Sequence, residues 1–81
     1  MMRLTLYGRS DCHLCHDMRA VVETVARRVP LALEEIDVDR DPAVAARFGA
    51  EVPVLCVNGR KAFKYRVDAP ALHARLLREP A

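Results

Sequence analysis

The sequence predicts an α/β fold with elements in the order β-α-β-α-β-β-α, giving a mixed four-stranded sheet flanked by helices. Three observations carry this reading. A stripe of apolar residues with helical period runs from Leu14 to Val29, between two stretches of strand character. Val52-Pro53-Val54-Leu55-Cys56-Val57 is an unbroken apolar run, as in a strand covered on both faces. Asn58-Gly59 follows it at once, the pair that suits a two-residue type I′ hairpin turn.

The elements follow in order. Arg3 to Tyr7 alternates, with Leu4 and Leu6 on one face and Thr5 and Tyr7 on the other, and reads as a strand. Gly8 to Asp11 is a polar turn into the first cysteine. Leu14, Met18, Val21, Val22, Val25 and Val29 then trace one face of a helix, which Pro30 should close. Leu31, Leu33 and Ile36 mark a second strand, with Glu34 and Glu35 towards solvent. Asp41-Pro42 can cap and open a helix, and Gly49 fits the left-handed residue that would end it. After the hairpin, Phe63, Tyr65 and Val67 alternate with Lys64 and Arg66. Asp68 caps a last helix whose candidates for the core are Leu72, Leu76 and Leu77. A strand, crossover helix and strand give a parallel pair, and the hairpin adds an antiparallel one.

At 81 residues the chain suffices for one domain, spanning 1–81. Lys and Arg number 13 against 11 Asp and Glu, mixed along the chain without a basic block, so nucleic acid is not an expected partner. No run approaches the roughly 20 apolar residues of a membrane span, and the start does not read as a signal peptide. The expected setting is the cytoplasm, with the protein a monomer. There, three cysteines point to catalysis, redox sensing or metal binding rather than to a disulfide framework.

Cys12-His13-Leu14-Cys15 carries the chemistry. Cys12 falls where a strand hands over to a helix, beside N–H groups that lack intrahelical partners. These groups and the helix dipole favour thiolate over thiol. Cys15 lies one turn on, near enough to bond to Cys12 and expected to be the less exposed. Cys12 would attack a disulfide, and Cys15 would resolve the mixed disulfide. His13, if protonated, would add to the stabilisation of the thiolate; Asp11 would oppose it unless turned outward. Other readings stay open. Cys12-His13-Leu14-Cys15-His16 matches the c-type haem attachment pattern, but nothing here suggests export. Zinc would need four ligands and no second ligand pair is present; an iron–sulfur cluster shared between two copies would need fewer from each. A binding module that docks a partner without turnover is the competing class. Cys56, inside the apolar run, reads as a buried small hydrophobe.

These residues resemble the short glutaredoxin-like proteins of the thioredoxin superfamily that carry a C-H-L-C motif. The resemblance spans Leu4 to about Leu77. It rests on Leu4-Thr5-Leu6-Tyr7 leading into Arg9-Ser10-Asp11-Cys12-His13-Leu14-Cys15, and on Glu51-Val52-Pro53-Val54-Leu55. It implies a thioredoxin-like fold and a thiol–disulfide oxidoreductase with no bound cofactor and glutathione as a candidate co-substrate. It further implies a cis Val52-Pro53 bond facing Cys12, with the Val52 backbone offered to a peptide or to glutathione. Arg9 would approach a glutathione carboxylate, and His13 and Asp68 would border the substrate. The departures are His13-Leu14 in place of Pro-Tyr, and Lys64-Tyr65-Arg66-Val67-Asp68-Ala69 where glutaredoxins carry a glycine pair and Asp. The expected partners are therefore disulfides of proteins or of small thiols, with glutathione specificity not implied.

Overall fold

A computed structural model describes residues Met1–Pro80. Its elements are β1 (Met2–Gly8), α1 (His13–Ala26), β2 (Leu31–Asp37), a 3₁₀ turn (Val38–Arg40), α2 (Pro42–Phe48), β3 (Val54–Val57), β4 (Arg60–Lys64) and α3 (Ala69–Leu77). The strands form one sheet in the order β2-β1-β3-β4. β1 runs parallel to β2 and antiparallel to β3, and β3 runs antiparallel to β4. The sheet is mixed and four-stranded, and the order of elements is the one the sequence predicts. No helix among the described residues is long and apolar enough to cross a membrane.

Strand alternation divides the core in two. Leu4, Leu6, Leu55 and Val57 meet Met18, Val22 and Val25 of α1 and Leu72 and Leu76 of α3 on one side. Val54 and Cys56 meet Val38 and Phe48 on the other, where Tyr7 stacks on Phe48 with ring centroids 4.1 Å apart. β3 is thus buried on both faces, which is why its sequence is apolar without a break. Full burial of each such Leu or Val is worth roughly 1.5–3 kcal/mol relative to leaving it exposed.

The three helices begin as their caps dictate. Cys12, Asp41 and Asp68 each hold extended backbone and accept an N–H from the first turn, and Pro42 and Pro70 occupy positions whose missing N–H costs nothing there. Several boundaries differ from expectation. α1 ends at Ala26 rather than at Pro30, because Arg28 and Val29 both donate to the Val25 carbonyl and tighten the chain. Val29 still packs against the core from this turn. Gly49 is not left-handed: its φ of −56° is helical, and its lack of a side chain serves a close approach instead. A Cβ there would lie 2.5 Å from the Ala45 carbonyl oxygen.

The hairpin turn matches its sequence signal, with φ of 49° at Asn58 and 85° at Gly59. Beyond it the expected alternation fails. Leu55 pairs with Phe63 and Cys56 with Lys61, so Ala62 is an extra residue, and it and Phe63 both pack towards the α1–α3 side. β4 then stops at Lys64. Tyr65 takes φ +70°, its neighbours closing a tight turn through Arg66 N–H to the Lys64 carbonyl at 2.8 Å, and its ring faces solvent. Leu77 also departs from the core and is 71 % exposed, lying one residue past the buried Leu76.

Candidate functional site

β1 delivers the chain to Gly8, and four residues later Cys12 caps α1. Cys12 has extended backbone (φ −102°, ψ 109°), and its Sγ accepts the Cys15 N–H at 3.1 Å. Its carbonyl accepts the His16 N–H at 3.2 Å, so the helix is closed from its first turn. Cys12 and Cys15 are joined in a disulfide with Cα atoms 5.2 Å apart. Their exposures differ: Cys12 is half-buried, whereas Cys15 is only 5 % exposed. No acidic residue lies in the first turn of α1 to oppose a thiolate there. His13 projects into solvent and reaches Asp17 Oδ2 at 3.5 Å, one turn along.

In the sequence Gly8 marks only the start of a polar turn. A Cβ built on it would stand 2.8 Å from Cys15 Sγ and 3.2 Å from Cys15 Cβ. The end of β1 therefore accommodates the second cysteine only because it carries no side chain. The signal in the sequence was a glycine at a strand end, which reads equally as turn chemistry.

Val52-Pro53 is a cis peptide bond. Pro53 immediately precedes Val54, which pairs with Tyr7, the residue before Gly8 at the end of β1. The Pro53 ring is fully buried and its carbonyl accepts the Tyr65 N–H at 2.8 Å. Val52 is half-buried, and within the described residues no backbone hydrogen bond engages its N–H or C=O. Tyr65 is tied in this way to the cis loop. Nothing in its residue type announces a positive φ.

Arg9 is already engaged. Its Nε lies 3.1 Å from Asp39 Oδ2 and its Nη1 donates to the Gly49 carbonyl at 2.8 Å. The guanidinium joins the β1–α1 loop to the 3₁₀ turn and to the end of α2. Asp68 is the α3 cap, accepting the Ala71 N–H at 2.8 Å. It also borders a groove of about 460 Å³ that has Leu14, Met18, Phe63 and Tyr65 in its walls, which places Asp68 on the same side of α1 as Leu14 of the motif. The structure therefore brings Cys15, bonded to Cys12, against Gly8, places Pro53 one residue before the β3 partner of Tyr7, sets Asp68 and Leu14 on a shared groove, and turns Arg9 to Asp39 and Gly49.

Cys56 lies in the second core cluster, with Val38, Phe48 and Val54. Burial pushes its thiol pKa up, with Arg47 and Lys61 partly offsetting the effect. Near the cis loop, Glu51 accepts from Lys61 Nζ at 2.6 Å and Lys64 Nζ at 3.3 Å, and these two ammonium groups hold its pKa below the ordinary carboxylate value. Among the described residues, no three His, Cys, Asp or Glu side chains gather into a group suited to a metal ion.

Comparison with known proteins extends over the whole architecture. The family model of the glutaredoxin-like domain (DUF836) matches residues 3–77. Target protein XcR50 from X. campestris is 40 % identical, with 95 % of this chain and 99 % of that one covered and a TM-score of 0.76. Protein Ne2328 from Nitrosomonas europaea is 28 % identical over 91 % of this chain and 89 % of that one, with a TM-score of 0.79. The glutaredoxin-like protein NrdH-redoxin from Escherichia coli, described as having a thioredoxin-like activity profile, is 30 % identical. It is covered over 97 % of its length by 98 % of this chain, with a TM-score of 0.68. No curated protein matches the sequence.

Proposed function

The chain belongs to the glutaredoxin-like domain family, and from that membership we propose that it is a thiol–disulfide oxidoreductase working through Cys12 and Cys15. Its fold is thioredoxin-like, and a close cysteine pair at the start of α1 supports a redox role. The observation that carries the finer reading is the asymmetry of the pair. Cys12 is reachable from solvent and its sulfur faces a helix N–H, while Cys15 is covered.

In the reduced protein the Cys12 thiolate attacks one sulfur of a substrate disulfide. A mixed disulfide forms and the first substrate thiolate leaves. Cys15 loses its proton and attacks Cys12 Sγ; the Cys12–substrate bond breaks, and the second thiolate leaves with that electron pair. The substrate gains two electrons and the dithiol loses two. The Cys15 N–H that meets Cys12 Sγ, together with the helix dipole, favours the anionic sulfur. His13, exposed beside Cys12, adds to this when protonated.

The proposed substrates are disulfides of proteins, with small thiols such as glutathione as co-substrate and no bound cofactor. Val52 supports this by holding an N–H and a C=O available to pair with an extended segment, as one strand pairs with another. Asp68 and Leu14 would border that segment on the shared groove. Arg9, committed to Asp39 and Gly49, is a positioning residue in this reading rather than a carboxylate receptor. Likeness to NrdH-redoxin favours a thioredoxin-like use of the site over a glutathione-centred one. The working form is proposed to be a cytoplasmic monomer.

The test is a redox titration with two variants. Cys12 and Cys15 should equilibrate with a dithiol buffer near the roughly −270 to −200 mV of thioredoxins and glutaredoxins. Cys15→Ser should accumulate a mixed disulfide at Cys12, and Cys12→Ser should not react. A pair that fails to form a bond, or a Cys12→Ser protein as reactive as the parent, would overturn the reading in favour of a docking module.

A further inference from the structure

The proposed reaction leaves one group beside the dithiol unused, the His16 that follows the second cysteine. A groove of about 390 Å³ opens on the β2 side of α1, and Gly8, Cys15, His16, Arg19, Glu35 and Asp37 are in its walls. Cys15 is almost closed to solvent, yet this groove reaches it, and Gly8 keeps the approach open because any side chain there would strike the sulfur. A resolving thiol in such a position must lose a proton before it attacks. The groove is large enough to hold water and has polar walls for it.

The charged groups on this groove are nearly all paired. Arg19 from α1 meets Glu35 of β2 at 3.3 Å, and Arg9 from the preceding loop meets Asp39 at 3.1 Å. Asp37 of β2 accepts the Asp39 N–H at 2.9 Å and lies 4.0 Å from Arg40. Among the described residues His16 has no ion-pair or side-chain hydrogen-bond partner. Imidazole is also the side chain that ordinarily changes charge between about pH 5 and 8, which suits a base acting near neutrality.

We propose that His16 is the proton acceptor for Cys15, acting through water in this groove. The inference rests on the oxidoreductase reading above and names a further residue for it. The Cys15 S–H proton passes to water and on to a ring nitrogen of His16. The Cys15 thiolate bonds to Cys12 Sγ, the Cys12–substrate bond breaks, and the electron pair leaves on the substrate thiolate. Imidazolium then returns its proton to solvent, so charge and protons balance.

The experiment mixes reduced protein with substoichiometric 5,5′-dithiobis(2-nitrobenzoate) and follows the coloured thiolate in a stopped-flow cell. The first equivalent reports attack by Cys12, and the second reports resolution by Cys15. In His16→Gln the first phase should stay within about twofold of the parent. The second should slow at least about tenfold at pH 7, below the ~10²–10⁴ that a directly positioned base supplies. Its pH midpoint should rise, and added imidazole should restore the rate. An unchanged second phase, equal slowing of both phases, or slowing that imidazole does not rescue would each overturn the role of His16. If the parent itself releases only one equivalent, the oxidoreductase reading fails instead.

Discussion

Gly8 and Cys15 are fitted to each other: the β1 residue lacks a side chain where one would lie 2.8 Å from the cysteine sulfur. A separation this short requires something to move, and Cys15 Sγ is tethered to Cys12 while the disulfide holds. The backbone at Gly8 is ordinary strand, so alanine is conformationally acceptable and the conflict is purely steric.

Gly8→Ala should therefore destabilise the oxidised protein by about 1–3 kcal/mol, as overpacking does. The reduced protein, whose Cys15 side chain can rotate away, should lose less. Urea denaturation of both forms measures the difference. Equal losses in the two redox states would show that the clash is not with the bonded sulfur.

Arg9 ties together two segments other than its own, meeting the Asp39 carboxylate in the 3₁₀ turn and the Gly49 carbonyl past α2. A charge-assisted bond to a part-buried carbonyl contributes more than an exposed ion pair, so Arg9→Ala should cost about 1–2 kcal/mol. Amide exchange should rise over residues 38–50, with the rate of Cys12 attack on a small disulfide little changed. A raised KM for a glutathionylated peptide at unaltered stability would instead return Arg9 to the carboxylate-binding role.

Much of this arrangement is legible in the chain, and the reasons are local. Leu4 and Leu6 alternate, Leu14 to Val25 keeps helical period, and Asn58-Gly59 demands its turn, so type and order of elements follow. The cysteine pair is legible because its chemistry depends on neighbours in sequence. What escapes depends on contacts across the fold. Gly8 matters through Cys15, on the helix that follows its strand, and Arg9 through Asp39, thirty residues away. The bulge at Ala62 and the positive φ of Tyr65 escape for another reason. Residues of strand character there are overridden by the need to bring Phe63 inward and to tie the chain to Pro53.

Glu79 should give the protein an acid-sensitive clasp. Its side chain is only 4 % exposed and takes hydrogen bonds from Asn58 Nδ2 at 2.9 Å and Arg75 Nη1 at 2.5 Å, with Arg60 Nη2 at 3.6 Å. The Asn58 bond and then Arg75 hold its pKa below the ordinary 4.5. A folded-state value below the unfolded one adds stability that is complete above about pH 4.5 and is lost as pH falls through the folded value. Glu51 acts in the same window through Lys61 and Lys64. Glu79→Gln should thus lower Tm at pH 6 and flatten its fall between pH 5 and about 2.5, leaving the share that belongs to Glu51. A Tm profile parallel to the parent's over that range would remove Glu79 from the account.

Cys56 tests whether the third thiol belongs to the core alone. It is 6 % exposed, packs with Val38, Phe48 and Val54, and its pKa is raised by burial. Both effects slow alkylation, because the reagent needs access and the thiolate is scarce. In the reduced protein at pH 7.5, iodoacetamide should modify Cys12 first and Cys56 far more slowly, as peptide mass mapping over time would show. Cys56→Ala should cost about 1–2 kcal/mol through the small cavity it leaves. Cys56→Ser should cost at least as much, since its hydroxyl would be buried among apolar side chains. Neither variant should alter the redox titration of Cys12 and Cys15, since neither belongs to the cluster that holds Cys56. A shifted titration in Cys56→Ala would mean that the thiol communicates with the dithiol after all, through Val54 and its neighbour Pro53.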